Sequence, residues 1–168
     1  VTDAARVLLV SDTHGFLDPR VEKLIDAVDQ VVHVGDIGSG VAETIADQAK
    51  SALFIAGNAE PASTPWPLRE TLALPGGILG VAHGHRWASR RRHARLRGVF
   101  PDARLVVCGH SHRRADDTSD MPRVINPGAA GKNRAYGGPS AAMLIARVDE
   151  WRIEWHIFEP LSARKRRR

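Results

Sequence analysis

The residues with the clearest capacity for chemistry are His110 and His112, one residue apart at the end of the apolar run Val106-Val107-Cys108-Gly109. A strand that runs into Gly-His-x-His sends both imidazoles beyond the sheet edge, because the glycine lets the backbone turn as the histidines leave the ladder. The pattern recurs upstream. Val7-Leu8-Leu9-Val10 ends in Ser11-Asp12-Thr13-His14-Gly15, and Val31-Val32-His33-Val34 ends in Gly35-Asp36. Leu53-Phe54-Ile55-Ala56 ends in Gly57-Asn58, and Ile78-Leu79-Gly80-Val81-Ala82 ends in His83-Gly84-His85. Five apolar runs thus terminate in Asp, Asn or His, and in a sheet of parallel strands such ends are where ligands bind.

The three Asp or Asn residues at these strand ends, Asp12, Asp36 and Asn58, with four histidines are an oxygen-and-nitrogen donor set that suits Mn, Fe, Zn or Ni, and the lack of cysteine ligands argues against a structural zinc knuckle. Charge favours two ions. Two divalent cations bring four positive charges; Asp12 and Asp36 remove two and a bridging hydroxide a third, leaving about one for a phosphate to neutralise. One carboxylate shared between the ions would hold them about 3.5–4 Å apart, the spacing that clamps attacking and leaving oxygens in phosphoester hydrolysis. The metals would also lower the pKa of bound water, so a hydroxide nucleophile exists near neutral pH. Taken singly, Asp12 reads equally as a helix cap, Asn58 as an Asx-turn residue and His83 as a core histidine. Together, those readings leave several polar residues at buried strand ends unexplained. His33 lies within its strand and reads as structural; His93 and His156 read as surface or packing residues.

The elements that must position these groups follow from periodicity. Val21, Leu24, Ile25 and Val28 recur at helical spacing after Pro19, as do Val41, Ile45 and Ala49 after Gly40. Strand, helix, strand, helix, strand is the signature of parallel crossovers. From Glu70 onward, residues 72–74 and 78–81 read as strands around the turn Pro75-Gly76-Gly77, followed by a basic helix over Arg86 to Arg97, a strand at 105–108 and a polar loop at 113–120. Short strands are expected at 123–125, 141–148 and 151–158. The fold class is α/β with mixed sheets, two sheets face to face and helices outside, in a single domain over residues 1–162.

The chain has 168 residues, 43% of them hydrophobic, enough for a proper core. No apolar run reaches the length of a membrane span and the start shows no signal-peptide pattern. With one cysteine, read as buried and inert within its strand, the expected setting is a reducing cytoplasm. The net charge of +5 is largely local: Arg164-Lys165-Arg166-Arg167-Arg168 reads as a solvated, disordered tail over 163–168. Arg86, Arg90, Arg91, Arg92, Arg95 and Arg97 read as a solvated helix face whose start, beside His83 and His85, could attract a phosphate-bearing substrate. Aromatic content of 5% is too sparse for a single-strand stacking platform.

Asp12-Thr13-His14, Gly35-Asp36, Gly57-Asn58, His83-Gly84-His85, Gly109-His110-Ser111-His112 and Asn126-Pro127-Gly128, in this order and spacing, resemble the calcineurin-like metallophosphoesterase superfamily, specifically its small YfcE-like bacterial phosphodiesterases. The resemblance spans residues 7 to about 146. It implies a four-layer α/β/β/α sandwich and two divalent metals, manganese first, with Fe, Ni or Zn as alternatives. It further implies one site of Asp12, His14, Asp36 and His112 and another of Asp36, Asn58, His83 and His110, Asp36 bridging. In the family Asn126-Pro127-Gly128 lies near the metals.

One departure bears on mechanism. Phosphatases and nucleases of this fold follow Gly-Asn with a histidine that helps protonate the leaving group; here the position is Ala59, followed by Glu60. General acid help is worth about 10² to 10⁴ in rate, and His85 is expected to fill part of the role, which makes Asp36, Asn58 and His85 the catalytic candidates. The expected activity is hydrolysis of small phosphodiesters by a metal-bridging hydroxide, with no membrane partner, nucleic acid not favoured, and the oligomeric state open, a homodimer being one option. The competing classes are a non-catalytic scaffold, as in a eukaryotic retromer subunit that resembles the family but has an altered site, and a nuclease drawing on the arginine cluster.

Overall fold

Alternation along the first strand sets the layering. In β1 (Ala4–Val10), Leu8 and Val10 join a cluster with Val21, Ile25 and Ile45, whereas Val7 and Leu9 join one with Val32, Ile55, Leu79, Val81 and Val107. Successive side chains of a strand point to opposite faces, so β1 is covered on both sides: by helices on one and by a second sheet on the other. These relations come from a computed structural model that describes residues 4–132 and 134–161. The basic run expected as a tail lies outside the described residues.

The chain continues through α1 (Pro19–Glu22), β2 (Gln30–His33), α2 (Val41–Gln48) and β3 (Ala52–Phe54). It enters the second sheet with β4 (Arg69–Leu74), β5 (Gly77–Ala82), α3 (Ser89–Val99), β6 (Leu105–Val107), β7 (Ala115–Asp117) and β8 (Arg123–Asn126), then returns as β9 (Ser140–Arg147) and β10 (Trp151–Ile157). The sheets are ordered β10-β9-β1-β2-β3 and β4-β5-β6-β8-β7. Within the first, β1, β2 and β3 are parallel; within the second, β5, β6 and β8 are. A third cluster, Val106, Cys108 and Val124 beneath Leu96 and Phe100, seats α3 on the outer face of the second sheet. The layers are α/β/β/α.

Three expectations are corrected. The helix after Pro19 stops at Glu22 and gives way to a 3₁₀ turn, Ile25–Ala27; the tighter winding advances further per residue, which carries the chain to Asp29, paired with Arg6 at the start of β2. The loop at 113–120 contains β7, an edge strand antiparallel to β8. The basic stretch is not one solvated face. α3 starts at Ser89, so Arg86 precedes it, and Arg92 is buried with its Nε donating to Gly84 O at 2.9 Å and Nη2 to Trp87 O at 3.3 Å. Arg97 is tied to Pro122 O and Asp117, while Arg90, Arg91 and Arg95 face solvent.

Candidate metal centre

The C-terminal ends of β1, β2, β3, β5 and β6 meet at one edge of the sandwich. Just past them sit Asp12 and His14, Asp36, Asn58, His83, and His110 and His112. Leaving the ladders costs backbone strain. Among the described residues six non-glycine residues have positive φ, and five are Asp12 (55°), His14 (47°), Asp36 (54°), His110 (70°) and His112 (58°). Left-handed backbone costs an L-residue about 1–2 kcal/mol, and it persists where surrounding structure over-determines it, typically at functional sites.

The side chains form two groups that share Asp36. In one, Asp12, His14, Asp36 and His112 bring ligand atoms within 4.8 Å of one another: His14 Nε2 lies 3.2 Å from His112 Nε2 and 3.6 Å from Asp36 Oδ2, and His112 Nε2 lies 3.4 Å from Asp12 Oδ1. In the other, Asp36, His83 and His110 converge in the same way, with His83 Nε2 3.3 Å from Asp36 Oδ2. Asn58 joins this second group through its Oδ1, 2.9 Å from His110 Nδ1. All seven expected residues are brought together.

A second ring of contacts orients them. Asp12 Oδ2 accepts from Ser11 Oγ at 2.7 Å and from the His110 N–H at 3.1 Å, which leaves Oδ1 free of any hydrogen bond though fully buried. His83 Nδ1 faces Val34 O at 2.9 Å, an acceptor only, so Nδ1 carries the hydrogen and Nε2, buried with no aligned partner, faces the carboxylates. Asp36 Oδ1 accepts the Ala59 N–H at 2.8 Å. Asn126 donates to Gly109 O and Ser111 Oγ and accepts from the Gly128 N–H, fixing the turn that carries His110 and His112. His33 is a structural link, as expected: Nδ1 accepts from the Gly35 N–H, so Nε2–H donates to Thr13 Oγ1, whose hydroxyl donates to Ile37 O.

Glu60 is the site residue that sequence reading passed over. Its carboxylate accepts the N–H groups of Asp36 (3.0 Å), Ile37 (2.7 Å) and Gly57 (2.5 Å), pinning two of the turns together. The available signal was an acid two residues past Gly57-Asn58, which only the fold shows to face backbone amides. Close packing also explains two glycines. A Cβ on Gly57 would fall 2.2 Å from Asp36 Oδ1, and one on Gly109 would fall 2.1 Å from Ser11 Oγ.

The electrostatics suit a cation. Burial raises the Asp12 pKa against the lowering influence of His83. For Asp36, burial opposes ionisation, but His83 and the Ala59 N–H outweigh it and hold the carboxyl below its usual range. Burial would lower His83, yet the flanking Asp36 and Asp12 carboxylates raise it; burial, then His83, push His110 down to about 4. Asp12 Oδ1, a buried acceptor without a donor, and His83 Nε2, an imidazole nitrogen without an aligned partner, would each be satisfied by a divalent ion, and the donor set matches one. His85 stands beside the second group, its ring 5.5 Å from that of His83 and 6.3 Å from that of His110, with a buried Nδ1 that has no partner.

The profile of the calcineurin-like phosphoesterase superfamily domain matches residues 6–149. A probable metallophosphoesterase of Mycoplasma pneumoniae is 30% identical over 131 residues, covering 74% of this chain and 78% of the relative. Among solved structures, a predicted phosphoesterase of Streptococcus pneumoniae superposes with a TM-score of 0.69 at 18% identity, covering 94% of this chain and 93% of the other. Wild-type Vps29 of Entamoeba histolytica complexed with Zn²⁺ superposes with a TM-score of 0.68 at 15% identity, covering 92% and 99%. At such identities the structural likeness concerns the fold.

Proposed function

Because the chain belongs to the calcineurin-like phosphoesterase superfamily, we propose that it is a phosphodiesterase working with two divalent cations, manganese first and Fe, Ni or Zn as alternatives. Asp12, His14, Asp36 and His112 hold one cation; Asp36, Asn58, His83 and His110 hold the other. The observation that carries this reading is the pair of ligand groups sharing Asp36, on turns that hold five of the seven residues at positive φ. Bound there, such cations supply Lewis-acid polarisation of a phosphoryl oxygen and a water of lowered pKa.

The chain's own residues do the rest. Asp36 spans both groups, kept in place by the Ala59 N–H on its side chain and Glu60 on its backbone. Asn58, exposed beside His110, meets the substrate phosphate at the open side of the second group. His85, its ring 6.3 Å from that of His110, serves as proton donor to the leaving oxygen, since position 59 is Ala. The substrate is a small diester, and the setting a reducing cytoplasm, on the ground of a single cysteine. Among the described residues no helix is long and apolar enough to cross a membrane.

The likeness to Vps29 supports a second reading, a scaffold of the same fold. Since that protein was solved with Zn²⁺, cation uptake alone does not separate the two; turnover does. Protein loaded with Mn²⁺ should hydrolyse bis(4-nitrophenyl) phosphate and lose that activity on chelation. Cation binding with no hydrolysis of the diester supports the scaffold.

A further inference from the structure

Beside the second ligand group opens a cleft of about 290 Å³, lined by Leu68, Arg69, Ala82, His85, Arg86 and Trp87. It is continuous with the centre through His85, whose ring lies 5.5 Å from His83. Its size is at the lower end of ligand-binding cavities, room for one ring system and its substituents. The walls are apolar at Leu68, Ala82 and the half-buried Trp87, which packs on the core beneath α3. No carboxylate lines it, and neither Arg69 nor Arg86 has an ion-pair partner among the described residues. Buried Arg92 holds the wall from behind, donating to Gly84 O and Trp87 O. The cleft is therefore a fixed feature of the turn that carries His85.

We propose that this cleft, in the phosphodiesterase reading above, receives the substituent of the ester on the His85 side, and that this substituent is a planar aromatic group bearing a further negative charge. Trp87 and Leu68 supply the apolar face for the ring, and guanidinium planes pack on aromatic rings while pairing with anions. Arg69 and Arg86, unpaired in the chain itself, take the extra anion. An aliphatic substituent would leave the Trp87 ring without a stacking partner, and an uncharged one would gain nothing from the two exposed guanidinium groups at the rim. The sequence cluster from Arg86 to Arg97 thus divides by role, with Arg86 facing substrate and Arg92 shaping the wall.

Three phosphonates that cannot be hydrolysed test this by calorimetry on the Mn²⁺-loaded protein: methylphosphonate, phenylphosphonate and 4-carboxyphenylphosphonate. The ring should tighten binding about tenfold and the carboxylate by roughly a further fivefold. The double variant Arg69→Gln/Arg86→Gln should erase the carboxylate step alone, and Trp87→Leu should erase the ring step. Methylphosphonate binding as tightly as phenylphosphonate, or an unchanged order in the double variant, would overturn the inference. Hydrolysis of bis(4-nitrophenyl) phosphate is measured alongside. Turnover without the affinity order rejects the cleft and keeps the phosphodiesterase; the order without turnover keeps the cleft and rejects the catalytic reading; absence of both rejects both.

Discussion

Glu60 holds Asp36 by its backbone: Oε2 accepts the Asp36 N–H at 3.0 Å while Oε1 accepts the neighbouring Ile37 N–H at 2.7 Å. Asp36 sits at φ 54°, and a carboxylate with two acceptor oxygens is what keeps that turn closed. In Glu60→Gln one oxygen becomes an amide that can only donate, leaving at least one N–H of the turn without its partner. The variant should stay folded by circular dichroism, lose about 1–3 kcal/mol in urea unfolding and bind Mn²⁺ about 10–100-fold more weakly. Wild-type affinity in Glu60→Gln would remove Glu60 from the account.

Gly109→Ala tests how tightly the first group is packed. The added methyl would meet Ser11 Oγ and come within 2.9 Å of Asp12 Oδ2, so Asp12 or its strand must move. Overpacking of this kind costs about 1–3 kcal/mol. Thermal unfolding of the metal-free variant should show that loss, and cation affinity should fall with it; unchanged values in both would show the turn to be looser than described.

His33 predicts a pH slope. Burial, with the charge of His83, lowers its pKa to about 3, against about 6.5 in an unfolded chain. Below pH 6.5 the unfolded state takes up a proton that the folded state refuses, so stability falls with falling pH until about 3, by about 1.4 kcal/mol per unit from this group. His33→Gln removes that contribution. In metal-free protein, urea midpoints at pH 7 and pH 5 should converge in the variant relative to wild type; an identical loss in both contradicts the buried neutral imidazole.

His85→Ala tests the assignment of the proton donor. Diesters with poor leaving groups should lose about 10²-fold in kcat, while 4-nitrophenyl esters, whose leaving oxygen needs little protonation, should change little. Equal rates for both classes in variant and wild type would exclude His85 from the reaction.

The strand ends were legible because apolar runs of four or five residues broke off into Gly, Asp, Asn or His, and the family resemblance picked the seven candidate ligands from among those breaks. Two sheets face to face with helices outside followed from strand and helix alternation, and the four-layer order from the family resemblance. What was not legible depended on contacts distant in sequence. Glu60 acts on amides 23 and 24 residues away; Arg92 looked like its exposed neighbours until its partners at Gly84 and Trp87 were placed. The helix after Pro19 kept its apolar spacing but wound more tightly past Glu22, because the same positions Val21, Ile25 and Val28 can reach one core in either winding. β7 escaped notice because Ala115–Asp117 is a short polar edge strand without apolar alternation.

The most direct test counts cations. Calorimetric titration of metal-free protein with Mn²⁺, checked by elemental analysis after gel filtration, should give two ions per chain, and Asp36→Asn should weaken both sites and abolish hydrolysis of bis(4-nitrophenyl) phosphate. Two tight ions and retained turnover in Asp36→Asn would contradict a centre built on one shared carboxylate.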